Sequence, residues 1–202
     1  MGRRMRTSGG CVLGWNAQLW PKLRNMSSTL HARLQDDLSQ LTLPDSARVW
    51  VYTASRVLTT EECALTQDHL EAFTSTWAAH GKPLKAQAVI LASQIVLLAL
   101  DESDQTATGC SIDASVAALK DIGDLAPTLQ DLDLFDRAWV LYASDDEAQD
   151  WQRTKLHAFW AMRKSGNLND DALIVDSTVA TLGELRSSIV KPLAESWHAH
   201  MW

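Results

Sequence analysis

Residues 85–101, KAQAVILASQIVLLALD, contain the longest apolar run in this chain of 202 residues. Residues 95–100 carry no polar side chain, as expected for a central strand that is covered on both faces of a sheet. The run breaks near Ala92 and Ser93, which predicts a tight turn between two strands at 85–91 and 94–100. Because the run is too short and too interrupted to span a bilayer, we expect no membrane insertion.

Two further strands are predicted on either side of this hairpin. VWVYT at 49–53 precedes it, and AWVLYA at 138–143 follows it. With one helix before the hairpin and one after it, the order becomes strand, helix, strand, strand, helix, strand. That order is typical of a ferredoxin-like βαββαβ core, with helices packed on a mixed or antiparallel sheet. The sequence therefore predicts an α+β fold.

The two helices of this core have recognisable ends. Thr59 and Glu62 form a capping box that opens the first helix, and Gly81 is expected to end it in the left-handed conformation. The second helix should begin at Ser111, acting as the N-cap, and continue to Ile122. Cys63 lies on the apolar stripe of the first helix and is expected in the core.

Additional elements flank the core. Leucines spaced along residues 30–41 predict a short amphipathic helix. After the core, the pattern predicts helices at 151–164 and 181–190, separated by a short strand at 172–176. No repeat or low-complexity linker divides this region, so we expect residues 30–202 to form a single α+β domain.

Charge sets the N-terminal segment apart. Residues 1–25 carry five of the 18 basic residues and none of the 25 acidic ones. We interpret this segment as a disordered extension or as the result of a start site placed too far upstream. The remaining chain is strongly acidic and should repel phosphate backbones, so we expect no nucleic-acid binding.

The three cysteines indicate a reducing compartment. Cys11, Cys63 and Cys110 are widely spaced, odd in number and form no CxxC pair. A disulfide framework is therefore not expected, and a cytoplasmic location is.

The candidate functional site lies where the central strand ends and the second core helix begins. Carboxylates, a thiol, a hydroxyl and free backbone amides should meet at this corner, and such strand-to-helix corners often hold ligands. The candidate ligand-binding residues are Asp101, Glu102, Gly109, Cys110, Ser111 and Asp113. We expect Gly109 to let the backbone approach a ligand, and Asp113 to lie in the first helical turn.

Four kinds of function are compatible with this corner. A small anionic ligand could bind to the amides that open the helix. Alternatively, Cys110 could act as a catalytic thiol with His80 or His198 as its base, since a helix N-terminus favours thiolate. The competing structural interpretation is that Cys110 is a small buried residue in a tight turn.

Two alternatives remain. Asp101, Glu102 and Asp113 could hold a hard metal such as Mg²⁺ or Ca²⁺, although their spacing is not that of an EF-hand, and we predict no metal site. The acidic body and the Trp-rich tail could instead form an interaction surface for a homodimer or another partner. The sequence shows no complete set of catalytic residues, so a ligand-binding or interaction module is favoured over an enzyme.

Several spaced motifs resemble a known family. They are Trp77, His80-Gly81, Pro83-Leu84, Asp101-Glu102, the segment from Gly109 to Asp113, the segment from Leu134 to Arg137, and Ser196-Trp197. Together, over about residues 43–202, they resemble a small uncharacterised bacterial family, prominent in the Bacteroidetes, whose members are often auto-labelled "ABC transporter ATPase". The resemblance implies a compact cytoplasmic α+β protein and supplies no activity.

The ATPase label fails a motif test. A phosphate-binding P-loop requires Gly, four residues, then Gly-Lys-Ser/Thr. At the only Gly-Lys pair, Gly81-Lys82, Thr76 stands where the first glycine should be and Pro83 replaces the Ser or Thr. The motifs therefore do not support ATP as a cofactor, and they imply no other.

Overall fold

The computed structural model describes residues 30–145 and 150–201 and has helices and antiparallel sheets. The helices are α1 (Leu30–Leu38), α2 (Thr60–Thr76), α3 (Gly109–Asp121), α4 (Leu156–Lys164) and α5 (Leu182–Ser188). The strands are β1 (Arg48–Thr53), β2 (Ala78–Ala79), β3 (Lys82–Pro83), β4 (Lys85–Leu91), β5 (Ile95–Asp101), β6 (Trp139–Ala143), β7 (Gln152–Lys155), β8 (Leu173–Val175) and β9 (Val190–Pro192). The α+β prediction is confirmed. The predicted extension, residues 1–25, lies outside the described residues.

Strand β5 is the centre of the first sheet, whose antiparallel order is β1-β5-β4. All seven residues of β5 are buried. Ile95, Leu97 and Ala99 face a core cluster that includes leucines of α1 and α5. Val96 and Leu98 face a second cluster, which α2 and α3 complete. Burying each large apolar side chain contributes roughly 1.5–3 kcal/mol, so this doubly covered strand anchors the fold, as predicted.

The ferredoxin-like core is present only in its first part. The order β1-β5-β4 is that of its first three strands, but β6 does not pair with β1. Residues 180–182 occupy the start of that edge instead, with Val49 N–H donating to Ala180 O (2.9 Å) and Leu182 N–H donating to Ala47 O (2.8 Å). Strand β6 lies in a second antiparallel sheet with the order β7-β6-β8-β9. The predicted four-stranded core sheet is therefore wrong.

The helix predicted at 151–164 begins later than expected. Residues 152–155 form β7, which pairs with β6 from Trp139↔Lys155 to Tyr142↔Gln152. Lys155 lies over the Trp139 ring, with its Nζ 3.7 Å from the ring centroid, and this cross-strand contact favours the extended conformation. Helix α4 starts at Leu156 and packs Phe159 against the second sheet.

The end of α2 also differs from the prediction. The helix stops at Thr76, and Trp77 is its C-cap residue. His80 and Gly81 have φ values of 51° and 75° and form the turn of the β2–β3 hairpin. Two consecutive residues with positive φ are the requirement of a type I′ hairpin turn. Gly81 is thus left-handed, as expected, but it turns a hairpin and does not end the helix.

No helix in the described ranges is both long enough and apolar enough to cross a membrane.

Candidate functional site

The carboxylates of the predicted corner hold its own loop together. Asp101, the last residue of β5, accepts a hydrogen bond from Ser103 N–H at 3.0 Å. This backbone hydrogen bond is the main cause that lowers the pKa of Asp101. Glu102 accepts from Ala107 N–H at 2.8 Å. Both side chains are therefore engaged in shaping residues 102–108.

The N-terminus of α3 is capped one turn earlier than predicted. Thr108 is the N-cap, and it forms a capping box with Ser111. Ser111 is therefore not the cap, and Asp113, the fifth helical residue, lies beyond the first turn. The amides of Ser111 and Ile112 donate to Thr108, which leaves those of Gly109 and Cys110 as the open first-turn donors.

The corner favours an anion less than the sequence suggested. Only two amides are open, whereas Asp101, Glu102 and Asp104 lie in the loop that leads to them. Lys85 pairs with Asp104 and neutralises one of these charges. A Cβ added at Gly109 would meet nothing within 4 Å, so no close approach of the backbone requires this glycine.

The two candidate catalytic residues are exposed but unconnected. Cys110 is exposed, so the interpretation of a buried turn residue is wrong, whereas Cys63 is buried, as predicted. His80 is exposed in the turn between β2 and β3. Within the described ranges, no hydrogen bond joins Cys110 to His80 or to any other base.

Trp77 attaches the corner to the rest of the fold. Its Nε1 donates to the carbonyl of Ser111 at 2.8 Å, and its ring is 3% exposed. The ring lies 5.1 Å from that of Phe73 and 6.2 Å from that of Trp50, centroid to centroid. Sequence reasoning from spacing gave Trp77 no role in the site, although Trp77 belongs to the motifs of the family resemblance.

The hard-metal alternative lacks a ligand set. Among residues 30–145 and 150–201, His, Cys, Asp and Glu side chains form no group of three that could hold a metal ion.

The second candidate base, His198, lies in a different part of the fold. It is buried in a 3-10 turn, stacked on Trp197 with centroids 4.0 Å apart, and it contacts Phe159 of α4 edge-on at 5.6 Å. Its Nδ1 is buried and has no hydrogen-bond partner in the part of the chain that the structure describes. Burial lowers the pKa of His198 from 6.5 to about 4, and the nearby Asp176 only partly opposes this.

We predict that His198 makes the fold sensitive to mild acid. The unfolded chain takes up a proton below about pH 6.5, whereas folded His198 does so only near pH 4, so stability falls as pH falls through this window. Between pH 7.5 and 5.5 the free energy of unfolding should drop by about 1 kcal/mol. Urea titrations at both pH values measure it.

His198→Phe should remove this drop, and His200→Phe, at an exposed position, should keep it. An equal acid sensitivity in all three proteins would show that another group is responsible. The measured interval from pH 7.5 to 5.5 stays above the range in which carboxylates titrate, so Glu62 and Asp176 do not contribute.

A groove beside β4 was not predicted. It has a volume of about 350 Å³ and lies between α2 on one side and residues 40–41 on the other. Its lining residues are mostly polar or small: Gln40, Leu41, Gln67, Glu71, Thr74, Ser75, Ala86, Gln87 and Ala88. These residues come from three separate segments, so no local sequence pattern could reveal the groove.

The floor of the groove is the free edge of β4. The Ala88 carbonyl accepts from Gln67 Nε2 at 3.0 Å, so it points away from β5. The N–H and C=O groups of every second residue point to the same side of a strand. Those of Ala86, two residues before Ala88, therefore also point outward. Apart from the Gln67 contact, these outward groups of Ala86 and Ala88 have no partner in the part of the chain that the structure describes.

One wall of the groove is fixed by Gln87. Its Oε1 accepts from Thr42 N–H (2.8 Å) and from Leu43 N–H (3.2 Å), and its Nε2 donates to Thr42 Oγ1 (3.1 Å). These bonds hold the chain between α1 and β1 alongside the edge of β4. The edge is therefore recessed between two walls.

Comparison of the chain with protein-family models, with characterised proteins and with solved structures found no match. The resemblance to the bacterial family therefore stays a prediction.

Proposed function

We propose that this protein is a non-catalytic binding module that takes an extended polypeptide segment along the outer edge of β4. The observation that carries the proposal is the recessed edge at Ala86 and Ala88, whose outward groups, apart from the Ala88 carbonyl bonded to Gln67, have no partner among the described residues. Such edges bind extended peptides by adding a strand, with main-chain hydrogen bonds supplying affinity. Exposed strand edges also pair readily with other chains and cause aggregation. A partner that covers this edge would explain why it is left open.

The shape of the groove favours a single strand over a folded surface. An added strand lies about 4.8 Å from its neighbour, which fits a narrow slot between α2 and residues 40–41. The small side chains of Ala86 and Ala88 pack toward the helix-covered face of the sheet and do not obstruct the edge. A flat sheet edge of another domain would first meet the two walls.

The chemistry of the groove suggests the kind of segment. Gln67 already donates to the β4 backbone as a neighbouring strand would, and its Nε2 also donates to Glu71 at 2.8 Å. Glu71 is exposed on α2 and gives this wall a negative charge. We therefore expect bound segments to be extended, uncharged along most of their length, and to carry a basic side chain facing Glu71.

The test is a selection of displayed random-sequence peptides on the full chain, followed by affinity measurement on variants. Ala86→Pro removes the outward N–H without touching the ladder to β5, and Ala86→Ser keeps it as the matched control. Selected peptides should bind the wild type and Ala86→Ser equally. They should bind Ala86→Pro about tenfold more weakly, the effect of one lost hydrogen bond.

Two results would contradict this function. One is a selection that enriches no peptide over background, or only peptides that bind Ala86→Pro as well as the wild type. The other is self-association, seen by light scattering and abolished by Ala86→Pro, which would assign the edge to a second copy of the chain.

A second candidate function is thiol chemistry at Cys110, favoured by its exposure at the second residue of α3. We predict that iodoacetamide modifies Cys110 in the folded protein and modifies buried Cys63 only after denaturation. A Cys11→Ser background leaves these two thiols for mass spectrometry. Thiol chemistry requires Cys110 to react faster than free cysteine near neutral pH; an equal or slower rate removes this candidate.

A further inference from the structure

Arg153 in β7 is a half-buried cation without a carboxylate. Arg56, Arg163 and Arg186 each form an ion pair. Arg153 forms none with the described residues. Its Nη1 donates to the side-chain oxygen of Gln94 at 3.3 Å, and this is the one hydrogen bond of the guanidinium to the described residues.

The surroundings of Arg153 disfavour its charge. Burial lowers the pKa of Arg153, and the positive charge of Arg56 lowers it further. The carboxylates nearest to Arg56 do not compensate, because Glu62 and Asp131 are both bonded to Arg56 itself. A guanidinium held in this position without an anion is energetically unfavourable, and an anionic group beside it would relieve the cost.

Arg153 lies in the seam between the two sheets, where it contacts Gln94 on one side and Trp139 on the other. Gln94 is 4% exposed at the start of β5, and its Nε2 donates to Trp151 O at 3.4 Å while its Oε1 accepts from Arg153. On the other side, the guanidinium carbon lies 5.7 Å from the centroid of the Trp139 ring. Trp139 and Arg153 share one face of the β6–β7 hairpin, because they stand two residues apart in its register.

Two further donors in this hairpin lack acceptors. The indole N–H groups of Trp139 and Trp151 are buried and have no hydrogen-bond partner among residues 30–145 and 150–201. A buried donor without an acceptor costs about 1–3 kcal/mol, and native proteins hold few of them. Among the described residues, the hairpin therefore holds two buried indole donors without an acceptor and a guanidinium whose one partner is the neutral Gln94. An anion with two or more oxygens supplies what this arrangement lacks.

We propose that Arg153 anchors an anion-binding site in this seam, for a ligand that carries a carboxylate or phosphate group. Gln94 and Trp139 are positioning residues, since they set the plane of the guanidinium. The other cation of the hairpin, Lys155, is paired with Asp136 and is not required. The site is separate from the β4 groove, so it can exist whether or not the groove binds a peptide.

The experiment is calorimetric titration and thermal unfolding of the full chain with inorganic phosphate, sulfate and citrate at constant ionic strength. Arg153→Gln removes the charge and keeps a donor for Gln94. Arg137→Gln is the matched control, because Arg137 is exposed and forms no ion pair with the described residues. At least one of these anions should stabilise the wild type and Arg137→Gln equally. Its affinity for Arg153→Gln should be weaker by about tenfold or more.

Without added anion, Arg153→Gln should be no less stable than the wild type, because it removes an uncompensated charge. Equal stabilisation of Arg153→Gln would assign the effect to another site. The absence of any stabilisation at constant ionic strength would overturn the proposal.

Discussion

Replacing Arg56 by methionine should lower the free energy of unfolding by about 3 kcal/mol, because it leaves a buried carboxylate without its partner. Arg56 donates to the Glu62 carboxylate through its two terminal nitrogens, Nη1 at 2.9 Å and Nη2 at 3.0 Å, and Glu62 is only 4% exposed. The hydrogen bond from Arg56 is the main cause that lowers the pKa of Glu62 to about 2. Urea unfolding at pH 7 measures the loss.

The effect should be large because Arg56 also joins two loops. It donates to the carbonyl of Thr128 and to Asp131 at 3.1 Å, which fastens the segment after β1 to the segment after α3. Glu62 additionally accepts from Thr59 N–H at 2.9 Å to complete the capping box of α2. Loss of the guanidinium therefore weakens a loop contact and a helix start together.

The double variant Arg56→Met/Glu62→Gln is the control. It removes the uncompensated charge, so it should be more stable than Arg56→Met alone. The pH dependence gives a second check. The stability from Glu62 is present above its ordinary pKa of 4.5 and is lost as pH falls toward 2, so the wild type and Arg56→Met should converge in acid. Equal stability of the wild type and Arg56→Met at pH 7 would contradict the prediction that Arg56 stabilises the fold by pairing with buried Glu62.

Local patterns predicted the elements whose signals are contained in a few neighbouring residues. The capping box at Thr59 is present as predicted, because it needs only a residue and its third neighbour. The continuous apolar run of β5 likewise indicates a strand that is buried on both faces of the sheet. These features fixed the first sheet and its two helices.

The second sheet could not be predicted in the same way. Strand β7 has four residues, none of them strongly apolar, and its extended form depends on Trp139 across the hairpin. Strand β6 is a clear strand in the sequence, but its place is decided by residues 180–182, which occupy the edge of β1 that it would have joined. Such competition between distant segments leaves no local signal.

The candidate site shows the same division. The corner from Asp101 to Asp113 lies where the sequence predicted, but its polar groups bond mainly to their own loop. The order of residues along the chain shows which groups lie close together in a loop. It does not show whether those groups face a ligand or bond to the backbone. Arg56 and Thr128 are 72 positions apart, and the β4 groove draws on three segments, so neither could be found without coordinates.

Trp77→Ala should lower the free energy of unfolding by about 4 kcal/mol, as expected when a buried aromatic side chain is removed and its space cannot collapse. The ring fills the cluster between the β2–β3 hairpin and β5, with Ala79, Leu84 and Leu100 around it. Trp77→Phe keeps most of this packing but loses the hydrogen bond to Ser111 O. It should cost about 1–2 kcal/mol. Chemical denaturation of both variants gives the two values.

The two Trp77 variants separate packing from attachment of the corner. In Trp77→Phe, amide hydrogen exchange should accelerate at residues 102–112, while exchange in β5 stays slow. The variant lacks the one side-chain hydrogen bond that, among the described residues, joins the β2–β3 region to the start of α3. Trp197→Phe is the matched control, since Trp197 is 41% exposed and should change stability by less than about 0.5 kcal/mol. If Trp77→Phe and Trp197→Phe behave alike, the indole N–H does not hold the corner, and the order of that loop comes from Asp101, Glu102 and Thr108 alone.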